Sequence, residues 1–251
     1  MGDKDQARRH RSAVLGAVGG LAAIGHAFPS VCVLGQWSPV PVRALPGGLC
    51  RWRGPSWSGA VGLTFDDGPS PATTPHTLEL LDRLGMRATF FVLGSLAASH
   101  GELVTEIRRR GHGIGLHGDR HEHHLLRSPG WIRRDTAAAV AVLEALGVRP
   151  RWYRPPYGQL TATTLVEARR HGMDVVLWSA WGREWAETEP GPVMARLERR
   201  LEDGAVVLLH DTDVSCPPGT AARTHAVLEL LAEELSRRAL GAVDLDALFT
   251  P

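Results

Sequence analysis

From Ala60 onward the apolar positions fall into short strand-like runs separated by stretches of helical period. The run Ala60 to Phe65 reads as a strand and ends on Asp66-Asp67-Gly68-Pro69, a turn by composition. Thr74 to Leu84 sets Leu78, Leu81 and Leu84 at helical spacing and stops at Gly85. The alternation continues with strand Ala88 to Leu93, helix Leu96 to Arg110, strand Gly113 to Leu116 and helix Asp135 to Leu146. Strand Trp152 to Arg154, helix Leu165 to His171, strand Asp174 to Trp178, helix Val193 to Leu201, strand Ala205 to Leu209 and helix Thr224 to Arg238 complete it. Such alternation predicts an α/β fold of parallel strands with outer helices, either an open doubly wound sheet or a barrel. In both, chemistry lies at the carboxyl ends of strands.

Residues 1–59 break this rhythm. Met1 to Arg11 is basic, with Lys4, Arg8, Arg9 and Arg11, and Ala13 to Ile24 is uncharged and apolar. Basic then apolar is the export pattern, so residues 1–35 read as a signal peptide or, with the apolar run carried on to Gly35, a retained membrane anchor. That places the protein in the secreted or membrane-anchored class, facing the cell envelope. The competing reading is an Ala/Gly-rich helix on a cytoplasmic protein. Residues 36–59, rich in Pro, Gly, Arg and Trp, hold no sustained period and read as an irregular arm, which leaves 60–251 as the domain carrying the chemistry.

Composition narrows the class only a little. The length of 251 residues suits one large α/β domain, and the net charge of +1 is spread along the chain, which gives no nucleic-acid footprint. Three cysteines, Cys32, Cys50 and Cys216, show no close metal-ligand spacing; Cys32 and Cys50 could pair outside the cytoplasm.

The polar residues that stand out each follow an expected strand. Adjacent strand residues point to opposite faces, so Asp66 and Asp67 can share one site only where the turn re-aims the second. Two carboxylates that close call for a metal, a basic residue or both. His117-Gly118-Asp119-Arg120-His121 puts two imidazoles on one side of a turn. With one carboxylate they form a two-His, one-carboxylate set that leaves coordination positions open. Non-haem iron oxygenases use the same donors, and His123 and His124 lie close enough to compete. Taken singly, the Asp-Asp turn and the His-rich loop each read more simply as solvated surface.

Together they carry a resemblance. Thr64-Phe65-Asp66-Asp67-Gly68-Pro69, His117-x-x-x-His121, Arg154-Pro155-Pro156-Tyr157-Gly158 and Leu208-Leu209-His210, in that order, resemble the motifs of the polysaccharide deacetylases, carbohydrate esterase family 4. The resemblance implies a distorted, incomplete (β/α) barrel and hydrolysis of an acetamido group on an amino-sugar-containing glycan or glycoconjugate. O-acetyl esterase and a non-catalytic glycan-binding relic are the alternatives. It implies a divalent metal, usually zinc and sometimes cobalt, held by Asp67, His117 and His121. Asp66 matches the general base, Arg154 the arginine that holds it, and His210 the general acid. The backbone N–H of Tyr157, in a turn stiffened by Pro155 and Pro156, matches an oxyanion donor.

Two positions depart from the pattern. Gly118 stands where the family often has Ser or Thr. The family's Trp-Ser-x-Asp-x-x-Asp-Trp reads Trp178-Ser179-Ala180-Trp181-Gly182-Arg183-Glu184-Trp185. Glu184 is then expected to orient His210 with one methylene more reach, and Trp181 and Trp185, with Pro156, to meet a sugar ring.

Overall fold

Alternation of side chains along the strands builds two different layers from one sheet. A computed structural model describes residues 48–250; residues 1–35, the first half of the arm (36–47) and Cys32 with its suggested partner bond lie outside the described residues. Strands β1 (Ala60–Gly68), β2 (Thr89–Val92), β3 (Gly113–Leu116), β4 (Trp152–Tyr153), β5 (Asp174–Val175), β6 (Ala180–Trp181) and β7 (Val206–His210) pair in the order β5-β4-β3-β2-β1-β7-β6. A short β8 (Gly241–Val243) joins β1 at its start. Every pairing between these strands is parallel, and the sheet curls into an incomplete (β/α) barrel with the helices outside.

On β1, Val61, Leu63 and Phe65 face outward into the core shared with the helices, where Phe65 stacks on Phe90 at 5.0 Å. Gly62, Thr64 and Asp66 face the barrel interior. A Cβ on Gly62 would meet Leu245 and Leu248 at 2.8 Å, because helix Leu245–Phe249 plugs the amino-terminal end of the barrel. Thr64 and Asp66, higher up, both touch Arg154. The same period sends Val207 and Leu209 outward while His210 reaches the rim, and the β1–β7 register sets Asp66 beside His210. The interior therefore runs from apolar at the floor to charged at the carboxyl rim.

Several elements differ from the periodicity. The expected helix Leu96 to Arg110 is two, Gly94–Ser99 and Gly101–Arg109. The break lies at His100, and a Cβ on Gly101 would stand 2.7 Å from Leu146, so the second helix starts where its neighbour packs closest. The expected strand Asp174 to Trp178 stops at Val175, and a separate strand, Ala180–Trp181, follows it and pairs with β7. Strand β8 and the plug helix follow Arg238, too short for a period to reveal. Arm residues 51–53 bridge the gap between the ends of the curl, Arg51 against Val176 and Arg53 against Ala205.

Candidate active site

The turn after β1 does what two adjacent carboxylates require. Pairing with β2 shifts register between Phe65 and Gly68, and Asp67 adopts φ 74°, which turns its side chain to the rim that Asp66 already faces. Both line a cleft of about 320 Å³ with His117, His121, His210 and Trp181.

Arg154, fully buried, fixes Asp66. Its Nη1 donates to Asp66 Oδ1 at 2.8 Å and to Thr64 Oγ1 at 2.7 Å, while Nη2 and Nε donate to the carbonyls of Leu177 and Val176. Phe91 lies under the guanidinium at 4.1 Å. Every face of this buried cation is thus met by an acceptor or a ring.

Asp67 is set differently. His117 Nδ1 donates to the Arg154 carbonyl at 2.7 Å, which leaves its Nε2 as a lone pair 3.1 Å from Asp67 Oδ1. His121 Nε2 lies 3.2 Å from the same oxygen. Oδ1 is nevertheless buried with no hydrogen-bond partner. Burial lowers His121 to about 4, against the opposing pull of Asp67. A partnerless anionic oxygen faced by imidazole nitrogens fits a cation, and these three residues offer one ligand atom each within 4.8 Å of one another. His123 is elsewhere, stacked on Tyr157 at 3.6 Å, and His124 is buried with Nδ1 on Thr164 Oγ1.

On the opposite wall His210 Nδ1 donates to Glu184 Oε1 at 2.7 Å. Burial would depress the His210 pKa, yet the Glu184 carboxylate outweighs it and the imidazole rises to about 9. Tyr157 sits at φ 58° in the turn Pro156–Gly158, its ring 4.3 Å from His121.

A family model described as polysaccharide deacetylase matches residues 54–176. A peptidoglycan-N-acetylglucosamine deacetylase of Bacillus cereus is 31% identical over 169 residues, which span 66% of this chain and 79% of the relative. A chitooligosaccharide deacetylase of a Bradyrhizobium species is 33% identical, across 64% of this chain and 73% of its own. The chain belongs to the polysaccharide deacetylase family. A solved peptidoglycan N-acetylglucosamine deacetylase superposes with TM-score 0.74 at 28% identity, over 80% of this chain and 92% of that one. Its likeness accounts for the curled parallel sheet.

In this family member the loop between the two histidines has its own support. Asp135, on helix Pro129–Ala145, accepts from the backbone N–H of Asp119 at 2.9 Å and of Arg120 at 3.2 Å. Burial raises its pKa to about 6, the two backbone donors acting in the opposite sense. Gly118 has φ 86°, and a Cβ there would stand 3.0 Å from Asp135 Oδ2. The departure from Ser or Thr is explained by this carboxylate, which fills the space and holds the loop from behind. Gly118→Ser should cost about 1–3 kcal/mol through left-handed strain. Thermal unfolding checks it: an unchanged midpoint would mean that the loop relaxes freely.

Two further polar residues support or reach the cleft. Asp211 lies under the Asp67-Gly68 turn, where Thr74 Oγ1 donates to its Oδ2 at 2.5 Å; burial raises its pKa to about 6. Its place directly after His210 was the available hint. Cys216 reaches the cleft from 149 residues beyond Asp67, a contact no spacing reveals. Trp178, Trp181 and Trp185 form one wall, with ring centroids 5.5 and 6.2 Å apart in sequence.

Proposed function

We propose that the chain is a metal-dependent hydrolase that removes N-acetyl groups from an amino-sugar glycan of the cell envelope, peptidoglycan or a chitooligosaccharide. The observation that carries this reading is the buried, partnerless Oδ1 of Asp67 facing two imidazoles, set between Asp66–Arg154 and Glu184–His210. The names of the two curated relatives supply the substrate class.

Asp67, His117 and His121 would hold the ion. When bound, it supplies a Lewis acid for the amide carbonyl and lowers the pKa of water towards about 7. Asp66 takes the proton of the attacking water, and Arg154 keeps its carboxylate oriented while doing so. The Tyr157 backbone N–H donates to the oxygen that becomes negative as the carbonyl turns tetrahedral. His210 gives a proton to the leaving amine, so that acetate and a free amino sugar result. Glu184 holds the ring so that Nε2, the proton-bearing atom for this step, points into the cleft. Trp181 and Trp185 give the sugar apolar faces, whereas Pro156, expected beside them, is buried in the turn Pro156–Gly158 and does not line the cleft.

The test is acetate release from peptidoglycan fragments, chitooligosaccharides and acetylated xylan side by side. Release from the first two and not from xylan is expected; release from xylan alone would make the enzyme an O-acetyl esterase. Glu184→Gln removes the charge that raises His210, so the alkaline limb of the pH–rate profile should move to lower pH. An unmoved limb would take His210 out of the acid role. For the export reading of residues 1–35, mass spectrometry of the native N-terminus should find either cleavage before residue 36 or an intact chain in the membrane fraction. Intact Met1 or Gly2 on soluble cytosolic protein would contradict it.

A further inference from the structure

We propose that the cleft holds a second, inhibitory cation site made by Asp67, His210 and Cys216, which an excess of a thiophilic divalent ion such as zinc fills after the first. The inference rests on the reading that a first ion is held by Asp67, His117 and His121. One ligand atom from each of Asp67, His210 and Cys216 lies within 4.8 Å of the other two.

The two oxygens of Asp67 face two donor sets. Oδ1 faces His117 Nε2 and His121 Nε2 at 3.1 and 3.2 Å, and Oδ2 faces Cys216 Sγ at 3.9 Å. A carboxylate placed so can bridge two cations, as in two-metal hydrolytic sites where the ions stand about 3.5–4 Å apart. His210 is prepared as a ligand by the same contact that prepares it as an acid. With Nδ1 bonded to Glu184, the ring is oriented and Nε2 is the nitrogen left for a metal, the arrangement that carboxylates impose on metal-binding imidazoles. Cys216 is placed by a built loop: Asp213 accepts from the N–H groups of Gly219 and Ala221, both at 2.7 Å, pinning the segment before helix Thr220–Arg237. Thiolate is a soft donor, so this set selects zinc, cadmium or cobalt and not magnesium or calcium.

Filling the second site displaces the Sγ proton and any proton on His210 Nε2 to solvent, which makes it the weaker of the two. It also places a cation on the atom that donates the proton to the leaving amine, so the ion and turnover exclude one another.

Cobalt(II) titration of the metal-stripped full chain tests this, because a thiolate ligand adds a near-ultraviolet charge-transfer band that His and carboxylate ligands do not. The first equivalent is expected to give visible bands without the thiolate band. Further cobalt should raise the thiolate band while acetate release falls in step. In Cys216→Ser the band should be absent, and zinc inhibition should need at least about 10-fold more metal, the scale on which even residues supporting a ligand act. A thiolate band with the first equivalent, no band at saturating cobalt, or unchanged zinc inhibition in Cys216→Ser would each overturn the second site. If first-equivalent binding persists undiminished in His121→Ala, the underlying first-site reading is what fails.

Discussion

Asp66→Asn should lower kcat by about 10²–10⁴-fold, the range expected for loss of a general base. The amide keeps an oxygen for Arg154 Nη1 but cannot take a proton from water, whereas Asp67, His117 and His121 are untouched. Metal stoichiometry should therefore stay at the wild-type value while turnover collapses. Metal analysis and steady-state kinetics on the same preparation separate the two effects. Turnover within a few-fold of wild type would remove Asp66 from the base role, and loss of metal would make it a ligand.

The second large effect is expected in stability. Arg154→Met removes the guanidinium that pairs with Asp66 inside the barrel and leaves the carboxylate buried beside Thr64. Breaking one partner of a buried pair costs about 3–5 kcal/mol. Because the Val176 and Leu177 carbonyls also lose their donors, the cost should lie at the upper end. Adding Asp66→Asn to the Arg154→Met background should recover part of it, since the orphaned charge is then gone. Denaturant midpoints for the two single variants and the double variant provide the check. Equal midpoints for Arg154→Met and the double variant would mean that the guanidinium acts through its carbonyl contacts and not through the ion pair.

These expectations depend on features whose legibility in the sequence differed for physical reasons. The strands around the site were readable because each is a short apolar run ending on a turn, and the β1–β7 pairing then brings Asp66 and His210 together. The re-aiming of Asp67 was readable as a necessity, since adjacent strand residues diverge; its φ of 74° is the form that necessity takes. Spacing alone did not separate His121 from His123 and His124, and only the family resemblance pointed to His121. In the fold, the Tyr157 ring stacks on His123, and His124 is buried against Thr164. Asp135 was hidden for a related reason. It sits on an Ala-rich helix as an ordinary polar residue, and only the fold turns it inward beneath the loop of Gly118. The plug helix Leu245–Phe249 is a single turn and a half, below the length at which a helical period declares itself, yet it closes the barrel floor under Gly62.

Glu184 shows how a departure from a motif can keep a geometry. Its longer side chain enters from the turn Glu184–Ala186, which follows Arg183 at φ 57°, and still places Oε1 2.7 Å from His210. The neighbouring change brings Trp181 to the cleft wall in register with Leu208 on β7. A wall of three tryptophans leaves less charge on that side of the cleft and more ring surface for a sugar.

The most direct measurement is acetate release from N-acetylated peptidoglycan fragments by metal-stripped protein before and after one equivalent of zinc, with Asp66→Asn carried in parallel. Release that is absent without zinc, restored by one equivalent and lost in Asp66→Asn is the predicted result. Release that proceeds at the same rate in the stripped protein, or that survives in Asp66→Asn, would contradict a metal-dependent deacetylase built on these residues.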